Sequence, residues 1–283
     1  MPISIAQAIL QGANKLRKAG VAEARREAGS LLAFLLDKDR TFMLAHAEDA
    51  ISAEQEMLFE EFLEARAQGE PAQYITGRQD FYGLEFEVTP DVLIPRPETE
   101  LLVETALRLV EGKEKISFCD VGTGSGCISV ALLKQLPLAN GVAVDLSAPA
   151  LEIAKRNAAR HSVTDRIEFV LSDCFQSVPQ QTFDLIVSNP PYIRDDALPT
   201  LQREVRDFEP RIALTSGADG LEVIRRLLRD SQAYLMSDGH LVFEIGYDQH
   251  EAVGGLIDAQ VWRVLDIHQD LQGIPRTVAL SKK

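Results

Sequence analysis

The alternation of strand and helix patterns after about residue 115 restricts the fold of this chain more than any other feature. Five segments read as strands: "ISFCDV", "GVAVD", "IEFVLSD", "FDLIVSN" and "GHLVFEIG". Helical segments separate them: "CISVALLKQL", "PALEIAKRNAARH" and "GLEVIRRLLRDSQAYL". Because the strands are almost continuously apolar, they predict a parallel sheet covered by helices on both faces. The last two runs, "VWRVLDIHQDL" and "RTVALS", predict an antiparallel hairpin and bring the strands to seven.

The first quarter of the chain has a different character. Residues 1 to about 70 show helical periodicity only, and Ser52 with Gln55 fits a capping box at the start of one helix. After Pro71 the stretch "DFYGLEFEVTPDVLIP" alternates apolar and polar residues around Gly83, which predicts a β-hairpin. We therefore expect a helical domain over residues 1–72, a hairpin linker over 73–95 and an α/β domain over 96–283.

Composition narrows the classes of function. The formal net charge of −14 argues against long nonspecific contact with nucleic acid, because neutralising phosphates requires clustered Lys and Arg. No apolar run is long enough to cross a membrane, and the N-terminus lacks the order of a secretory signal, so a cytoplasmic location is expected. Neither the three cysteines nor the five histidines show metal-ligand spacing, and we expect no metal site.

A glycine-rich turn stands where the first strand of the α/β part gives way to a helix. In "DVGTGSG" the glycines are spaced Gly122-x-Gly124-x-Gly126. Glycines at such a junction let the backbone approach a ligand, and free N–H groups at the helix start face it. A dinucleotide fingerprint needs a further glycine or small residue at 127, where this chain has Cys127, and no Walker lysine follows.

Acidic residues follow the next two strands. Asp145 ends "GVAVD", about twenty residues after the glycines, where a carboxylate can accept both ribose hydroxyls of a nucleoside. It could instead cap the following helix, although Ser147 fits that role better. Asp173 and Cys174 follow the third strand, where an adenine ring would rest. The three strand tips should converge on one crevice.

The stretch "SNPPYI" follows the fourth strand and is predicted to lie beside the same crevice. The side-chain oxygen of Asn189 and the carbonyl of Pro190 can accept the two N–H bonds of a planar NH2 group and orient its nitrogen. Tyr192 offers a flat face for stacking. We interpret this stretch as a clamp for an amide or aromatic amine that is to be alkylated.

In combination, these motifs resemble the class I S-adenosylmethionine-dependent methyltransferases that modify planar nitrogens. "VLIPRPETE", "DVGTGSG" and "IVSNPPYI" together are similar to the PrmC/HemK family, which methylates the glutamine side chain of class I peptide chain release factors at N5. The likeness spans nearly the whole chain. It implies a Rossmann-like methyltransferase domain, and S-adenosylmethionine as cofactor with S-adenosylhomocysteine as product.

The resemblance also implies roles for residues. Those implied to bind cofactor are Gly122, Thr123, Gly124, Ser125, Gly126, Asp145, Asp173, Cys174 and Asn189. Those implied to grip the glutamine are Asn189, Pro190, Pro191 and Tyr192, with Phe81 and Arg96 of the linker as pocket neighbours. Arg96 could equally pair with Glu98 or Glu100. Many relatives have Trp where this chain has Cys174, so adenine packing would be either weaker or borne by the backbone and Phe175.

The family likeness implies that the surface of residues 1–70 docks the release factor, and we expect a monomer. The main alternative is a DNA or ribosomal RNA N-methyltransferase, which shares "NPPY". That alternative predicts basic and aromatic clusters for target recognition, whereas the N-terminal part contains the acidic stretch "AEDAISAEQEMLFEEFLEA". A binding module that keeps the cofactor fold without catalysis is a further alternative, and Asn189 with Tyr192 argues against it.

Overall fold

The computed structural model describes residues 3–283. The chain forms two compact units: one contains residues up to Gly77 together with Gln202–Phe208, and the other contains Arg78–Leu201 and Glu209–Lys283. No helix within residues 3–283 has the length and apolar character needed to span a bilayer.

The helices and strands have the following bounds. The helices are α1 Ile5–Lys18, α2 Ala24–Leu36, α3 Arg40–Ala45, α4 Ala53–Ala67, α5 Ala72–Thr76, α6 Glu100–Leu109, α7 Cys127–Gln135, α8 Ala148–Arg160, α9 Arg203–Phe208, α10 Glu222–Asp230 and α11 His250–Leu256. The strands are β1 Arg78–Phe81, β2 Leu84–Glu87, β3 Ser117–Val121, β4 Asn140–Asp145, β5 Ile167–Leu171, β6 Phe183–Ser188, β7 Leu235–Glu244, β8 Trp262–Gln269 and β9 Pro275–Lys282. A 3-10 turn, Pro97–Thr99, leads into α6.

The first unit is a helical bundle. The predicted capping box at the start of α4 is confirmed: Ser52 accepts the N–H of Gln55, and the Gln55 side chain accepts the N–H of Ser52. These bonds satisfy donors that a helix start otherwise leaves unpaired. Leu16, Leu31 and Leu32 lie in the core of this unit and are almost fully buried. The bundle is held together by burial of its apolar helix faces.

A short segment from the second half of the chain belongs to this helical unit. The guanidinium of Arg66 is 2% exposed and makes ion pairs with Glu27 and with Glu204 of α9. The sequence predicts one continuous domain over 96–283, and the return of Gln202–Phe208 to the helical unit differs from that expectation. A buried guanidinium requires acceptors, and the sequence pattern does not show that one of them comes from residue 204.

The hairpin predicted around Gly83 is present as β1 and β2. Tyr82 and Gly83 both have positive φ, 52° and 71°, which is the two-residue turn that matches strand twist. Phe81 and Phe86 pack edge to face in the core of the second unit, with ring centroids 6.1 Å apart. The hairpin belongs to the second unit rather than acting as a free linker.

The second unit is built on a seven-stranded sheet of order β5-β4-β3-β6-β7-β9-β8. The pairs among the first five strands in this order are parallel, and β9 lies antiparallel between β7 and β8. This confirms the predicted α/β fold with an antiparallel C-terminal hairpin. The chain moves from β3 outward through β4 and β5, and then returns to place β6 on the other side of β3.

Both faces of the sheet are covered. Along β3, Phe118 packs into one apolar cluster, while its neighbour Cys119 packs into another. The first cluster contains buried residues of α6 and α7, and the second contains those of α10 and α11. Alternate side chains of a strand point to opposite faces, so two-sided cover explains the continuous apolar strands. The reversal between β3 and β6 opens a crevice at the carboxyl ends of the strands.

Candidate active site

A cavity of about 290 Å³ lies at this carboxyl edge. The strand tips that follow β3, β4, β5 and β6 all contribute to its wall, as the sequence predicted for convergent tips. The lining includes Asp91, Val92, Leu93, Pro95, Thr99, Gly122, Thr123, Gly124, Ser125, Asp145, Leu146, Asp173, Cys174, Asn189, Pro190, Pro191 and Ile212. The parallel sheet therefore gathers residues that are far apart in the sequence.

The glycine turn requires glycines for two different reasons. Gly122, Gly124 and Gly126 all have positive φ, at 75°, 56° and 80°. A Cβ on Gly122 or Gly124 would meet no atom within 4 Å, so the backbone of both residues borders open space. A Cβ on Gly126 would lie 3.1 Å from the Cβ of Ala154 in α8. The first two glycines keep the ligand side open, and the third permits close helix packing.

Two polar side chains, those of Asp120 and Asn157, hold the glycine turn through hydrogen bonds. The Oδ2 of buried Asp120 accepts hydrogen bonds from Thr123 and Ser129, both at 2.7 Å. Burial raises the pKa of Asp120 to about 6. On the other side, the Nδ2 of Asn157 in α8 donates to the carbonyl of Ser125 at 2.9 Å. The turn is rigid because both its start and its end are hydrogen-bonded to neighbouring elements.

Asp145 lies next to the glycine turn. Its Oδ2 accepts the N–H of Gly124 at 2.8 Å, and its Oδ1 accepts the N–H of Ser147 at 2.9 Å. Burial raises the pKa of this carboxyl. Each oxygen retains a lone pair for another donor, which suits a vicinal pair of hydroxyls. The Ser147 side chain caps α8 by accepting the N–H of Ala150, so the prediction that Ser147 rather than Asp145 caps this helix is confirmed.

Asp173 and Cys174 also line the cavity. Asp173 pairs with Arg226 at 2.8 Å. Cys174 has a φ of 49°, which is unusual for a residue with a side chain. Burial raises the pKa of its thiol to about 11, which keeps it protonated. The thiol therefore contributes a small neutral surface.

Phe175 is not part of the cavity lining. Its ring stacks on Tyr234, with centroids 4.9 Å apart, and is buried in the core. Phe175 is therefore not part of the cavity wall, where it was expected to support adenine. Apolar surface comes instead from Leu146 and Ile212, which line the cavity and are 53% and 52% exposed. The sequence could have indicated Leu146, because it directly follows Asp145 at the tip of β4.

Asn189 lies at the cavity and belongs to a connected set of hydrogen bonds. Its Nδ2 donates to Oγ1 of Thr99 at 3.0 Å, and Thr99 donates to Oε2 of Glu244 at 2.6 Å. Pro190 and Pro191 line the cavity beside it. With its NH2 end engaged by Thr99, Asn189 keeps its Oδ1 as an acceptor for a ligand.

Tyr192 is held by polar contacts at both its side chain and its backbone. The hydroxyl donates to Oε1 of Glu244 at 3.2 Å, and burial raises the pKa of this phenol. The carbonyl accepts Nε2 of Gln249 at 2.9 Å. Pro191 lines the cavity and Tyr192 beside it does not, so the predicted stacking face is not part of the cavity wall.

The two linker residues predicted as pocket neighbours, Phe81 and Arg96, do not line the cavity themselves. Phe81 is 1% exposed and packs in the core, where its apolar ring is removed from water. Arg96 makes an ion pair with Glu209, which is neither of the predicted partners. The same carboxylate accepts the N–H of Ile94 at 3.3 Å, which ties down the segment before Arg96. That segment contributes Asp91, Val92, Leu93 and Pro95 to the cavity.

Sequence reasoning missed Thr99 and Glu244, as it missed Leu146 and Ile212 of the cavity wall. A signal for Glu244 exists, since it is a charged residue inside the apolar strand "HLVFEIG". Burial raises the pKa of Glu244 to about 7. Within residues 3–283, no cluster of His, Cys, Asp and Glu is suited to hold a metal ion.

The sheet order, the glycine turn, the acidic tip and the Asn-Pro-Pro-Tyr loop together define a class I methyltransferase, a class that uses S-adenosylmethionine as methyl donor. The family model of the PrmC N-terminal domain matches residues 7–77, and that of the methyltransferase small domain matches residues 97–205.

Curated relatives identify the family. The chain is 40% identical to a release factor glutamine methyltransferase of Koribacter versatilis, with 99% of each chain covered. It is 42% identical to the protein of the same name in Cereibacter sphaeroides, with 97% of each covered. The chain therefore belongs to the release factor glutamine methyltransferase family, and the predicted resemblance is confirmed.

Solved structures support the fold. The hMettl16 catalytic domain, solved in complex with an RNA hairpin, matches with a TM-score of 0.55 at 18% identity. The match covers 89% of this chain and 92% of that one. At this level of identity the match shows a common fold.

Proposed function

We propose that this protein transfers a methyl group from S-adenosylmethionine to the side-chain amide nitrogen of the glutamine in the Gly-Gly-Gln motif of class I peptide chain release factors. The observation that carries the proposal is the orientation of Asn189. Its Nδ2 is engaged by Thr99, so Oδ1 remains at the cavity as an acceptor for a substrate N–H. Identity of 40–42% to release factor glutamine methyltransferases over nearly the whole chain supports the substrate.

The acceptor side of the reaction requires orientation more than basicity. An amide lone pair is delocalised, so the enzyme must hold the nitrogen in line with the methyl carbon. Asn189 Oδ1 and the Pro190 carbonyl accept the two N–H bonds and stabilise the positive charge that develops on nitrogen. With the cofactor bound, the N–C bond would form as the C–S bond breaks, and the nitrogen would pass one of its two protons to solvent water. Pro191 borders the glutamine in the cavity, and Tyr192, held by Glu244 and Gln249, fixes the end of the loop.

The residues present fit the cofactor. S-adenosylmethionine supplies a methyl group on a positively charged sulfur, which is a good electrophile. The turn Gly122–Gly126, which includes Thr123 and Ser125, would hold its methionine part, and the backbone of Gly122 and Gly124 borders open space there. Asp145 accepts the ribose hydroxyls, while Asp173, Cys174, Leu146 and Ile212 border the base.

The decisive test is mass spectrometry of a release factor incubated with this protein and S-adenosylmethionine. We expect a gain of one methyl group on the glutamine of the Gly-Gly-Gln loop. An unmethylated release factor, together with methylated DNA or RNA under the same conditions, would refute the proposal and establish the nucleic-acid alternative. A matched substrate with the loop glutamine replaced by alanine should gain nothing.

The helical unit is proposed to dock the release factor, and residues 1–72, 73–95 and 96–283 are proposed as the functional division of the chain. Leu10, Leu44 and Met57 of this unit are more than half exposed, which leaves apolar surface for a protein partner. Changing Met57 to Glu should raise KM for the release factor and leave cofactor affinity unchanged. The matched control is Leu271→Glu in the β8–β9 connection, which should change neither.

We further propose that the protein acts as a monomer in the cytoplasm and forms no stable complex with nucleic acid. The net charge of −14 supports the last point, since phosphate binding favours clustered cations. Light scattering of the purified protein tests the monomer. Unchanged mobility of labelled RNA and DNA in its presence tests the absence of nucleic-acid binding.

A further inference from the structure

A buried carboxylate outside the Asn-Pro-Pro-Tyr loop contacts that loop through two routes. Glu244 ends β7 and is 2% exposed. Its Oε2 accepts from Thr99, which itself accepts from Asn189, and its Oε1 accepts from Tyr192. One carboxylate therefore supports both polar side chains of the loop.

The directions of these hydrogen bonds follow from which atoms of Glu244, Thr99 and Asn189 can donate and which can accept. The Thr99 hydroxyl donates its single proton to Oε2 of Glu244, and an ionised Glu244 can only accept. The Thr99 oxygen must then accept from its other neighbour, which requires the NH2 end of Asn189. The carbonyl end of Asn189 is left for the substrate. If this chain were broken, the Asn189 amide could rotate and present its NH2 end, which repels an N–H donor.

The two hydroxyls of Thr99 and Tyr192 need two acceptor oxygens on one side chain, and a carboxylate provides them. Thr99 and Tyr192 both donate, and they do so to different oxygens. A glutamine would offer one acceptor oxygen and one donor NH2 end, so one of the two hydroxyls would lose its acceptor. Burial of a charge is costly, and it is offset here by two hydrogen bonds to that charge.

We propose that Thr99 and Glu244 are positioning residues for methyl transfer: they set the Asn189 amide so that its oxygen faces the substrate nitrogen, and they anchor Tyr192. The kinetic consequence rests on the proposed function. The orientation of Asn189 does not, because it is a property of the free protein.

The first test is NMR of the free protein labelled with 15N at asparagine. The chain has four asparagines, Asn14, Asn140, Asn157 and Asn189, and an Asn189→Asp variant assigns the Asn189 signal. Asn157 is buried with both acceptors in place, whereas Asn14 and Asn140 are exposed. We expect the Asn189 side-chain protons to exchange with water at least about tenfold more slowly than those of Asn14. Exchange as fast as that of Asn14 would overturn the proposal without any variant.

The second test compares two substitutions of Thr99. Val has nearly the shape of Thr without the hydroxyl, and Ser keeps the hydroxyl. We expect Thr99→Val to shift the Asn189 signal, to accelerate its exchange and to lower kcat by about tenfold or more. KM for the release factor and the affinity for S-adenosylhomocysteine should change much less. Thr99→Ser should restore the signal and most of kcat.

The outcomes separate the two proposals. A wild-type protein that leaves the release factor unmethylated refutes the proposed function, and the Asn189 exchange data still decide the positioning role. An active wild type with a Thr99→Val variant of equal kcat and an unmoved Asn189 signal refutes the positioning role and leaves the function intact. For Glu244, the Glu244→Gln variant should lower kcat in the same way, and unchanged kcat would remove Glu244 from the role.

Discussion

The carboxylate of Asp145 accepts the backbone N–H of Gly124 at 2.8 Å, which ties the tip of β4 to the glycine turn after β3. This bond orients the carboxylate toward the cavity and shapes the turn. Replacing Asp145 by Ala removes both the ribose acceptor and the bond to the turn. We expect the affinity for S-adenosylhomocysteine, measured by calorimetry, to fall about tenfold to a hundredfold. Exposed Asp165, replaced in the same way, is the control; equal affinities would remove Asp145 from the ribose role.

Asn189 is expected to act on the chemical step. The Asn189→Ala variant loses the acceptor that orients the substrate amide, and we expect kcat to fall about 100- to 1,000-fold. The affinity for S-adenosylhomocysteine should fall far less. Single-turnover methylation followed by mass spectrometry measures the loss, with exposed Asn140→Ala as control. Wild-type kcat in the Asn189 variant would contradict the clamp.

Glu244 is expected to make stability depend on pH in a recognisable way. Burial raises its pKa from 4.5 to about 7 in the folded protein, with Glu98 raising it further and Arg276 lowering it. Between these values the folded protein binds more protons than the unfolded chain, so the contribution of Glu244 to stability falls as pH rises. Glu244→Gln lacks this dependence. The free energy of unfolding of the variant, relative to wild type, should rise by about 3 kcal/mol from pH 4.5 to 7.

Urea unfolding of both proteins across this pH range measures that difference. Asp120 also has a pKa raised by burial, to about 6, but it is present in both proteins and cancels. A difference between variant and wild type that stays constant with pH would show that Glu244 titrates normally in the folded protein.

Alanine is expected to destabilise the protein more at Gly126 than at Gly112, although the two glycines have nearly the same φ. Gly126 and Gly112 have φ of 80° and 82°, so alanine meets the same backbone strain at both. Only at Gly126 does the added Cβ approach Ala154, at 3.1 Å. We expect Gly112→Ala to cost about 1–2 kcal/mol and Gly126→Ala to cost about 1 kcal/mol or more beyond that. Equal costs in urea unfolding would show that α8 moves aside without penalty.

Much of the fold could be predicted because its signals are local. Apolar runs separated by helical periods predict a parallel sheet, since strands covered on both faces have no polar side. The positive φ of Gly83 and the turn at Gly122 follow from glycine chemistry in short segments. Ser52 and Gln55 are three residues apart, so their capping box could be read from the sequence.

The site could be predicted only where its residues stand at strand tips. Parallel strands bring their carboxyl ends to one edge, so the places of Asp145, Asp173 and Asn189 directly after their strands are enough to predict a common crevice. Local sequence patterns do not specify the surroundings of Phe81 and Arg96, because the packing of Phe81 depends on the core and the ion pair of Arg96 depends on distant Glu209.

By itself, the sequence determined the class of fold, the glycine turn and the loop that faces the cavity, since periodicity and turn chemistry act between neighbours in the chain. Tertiary structure alone decided which side chains support that loop. Thr99 lies 90 residues from Asn189 and 145 from Glu244 in the sequence, and the sheet brings the three into hydrogen-bond contact. A hydrogen bond requires a separation of about 3 Å and a definite direction, and a sequence pattern specifies neither for residues so far apart.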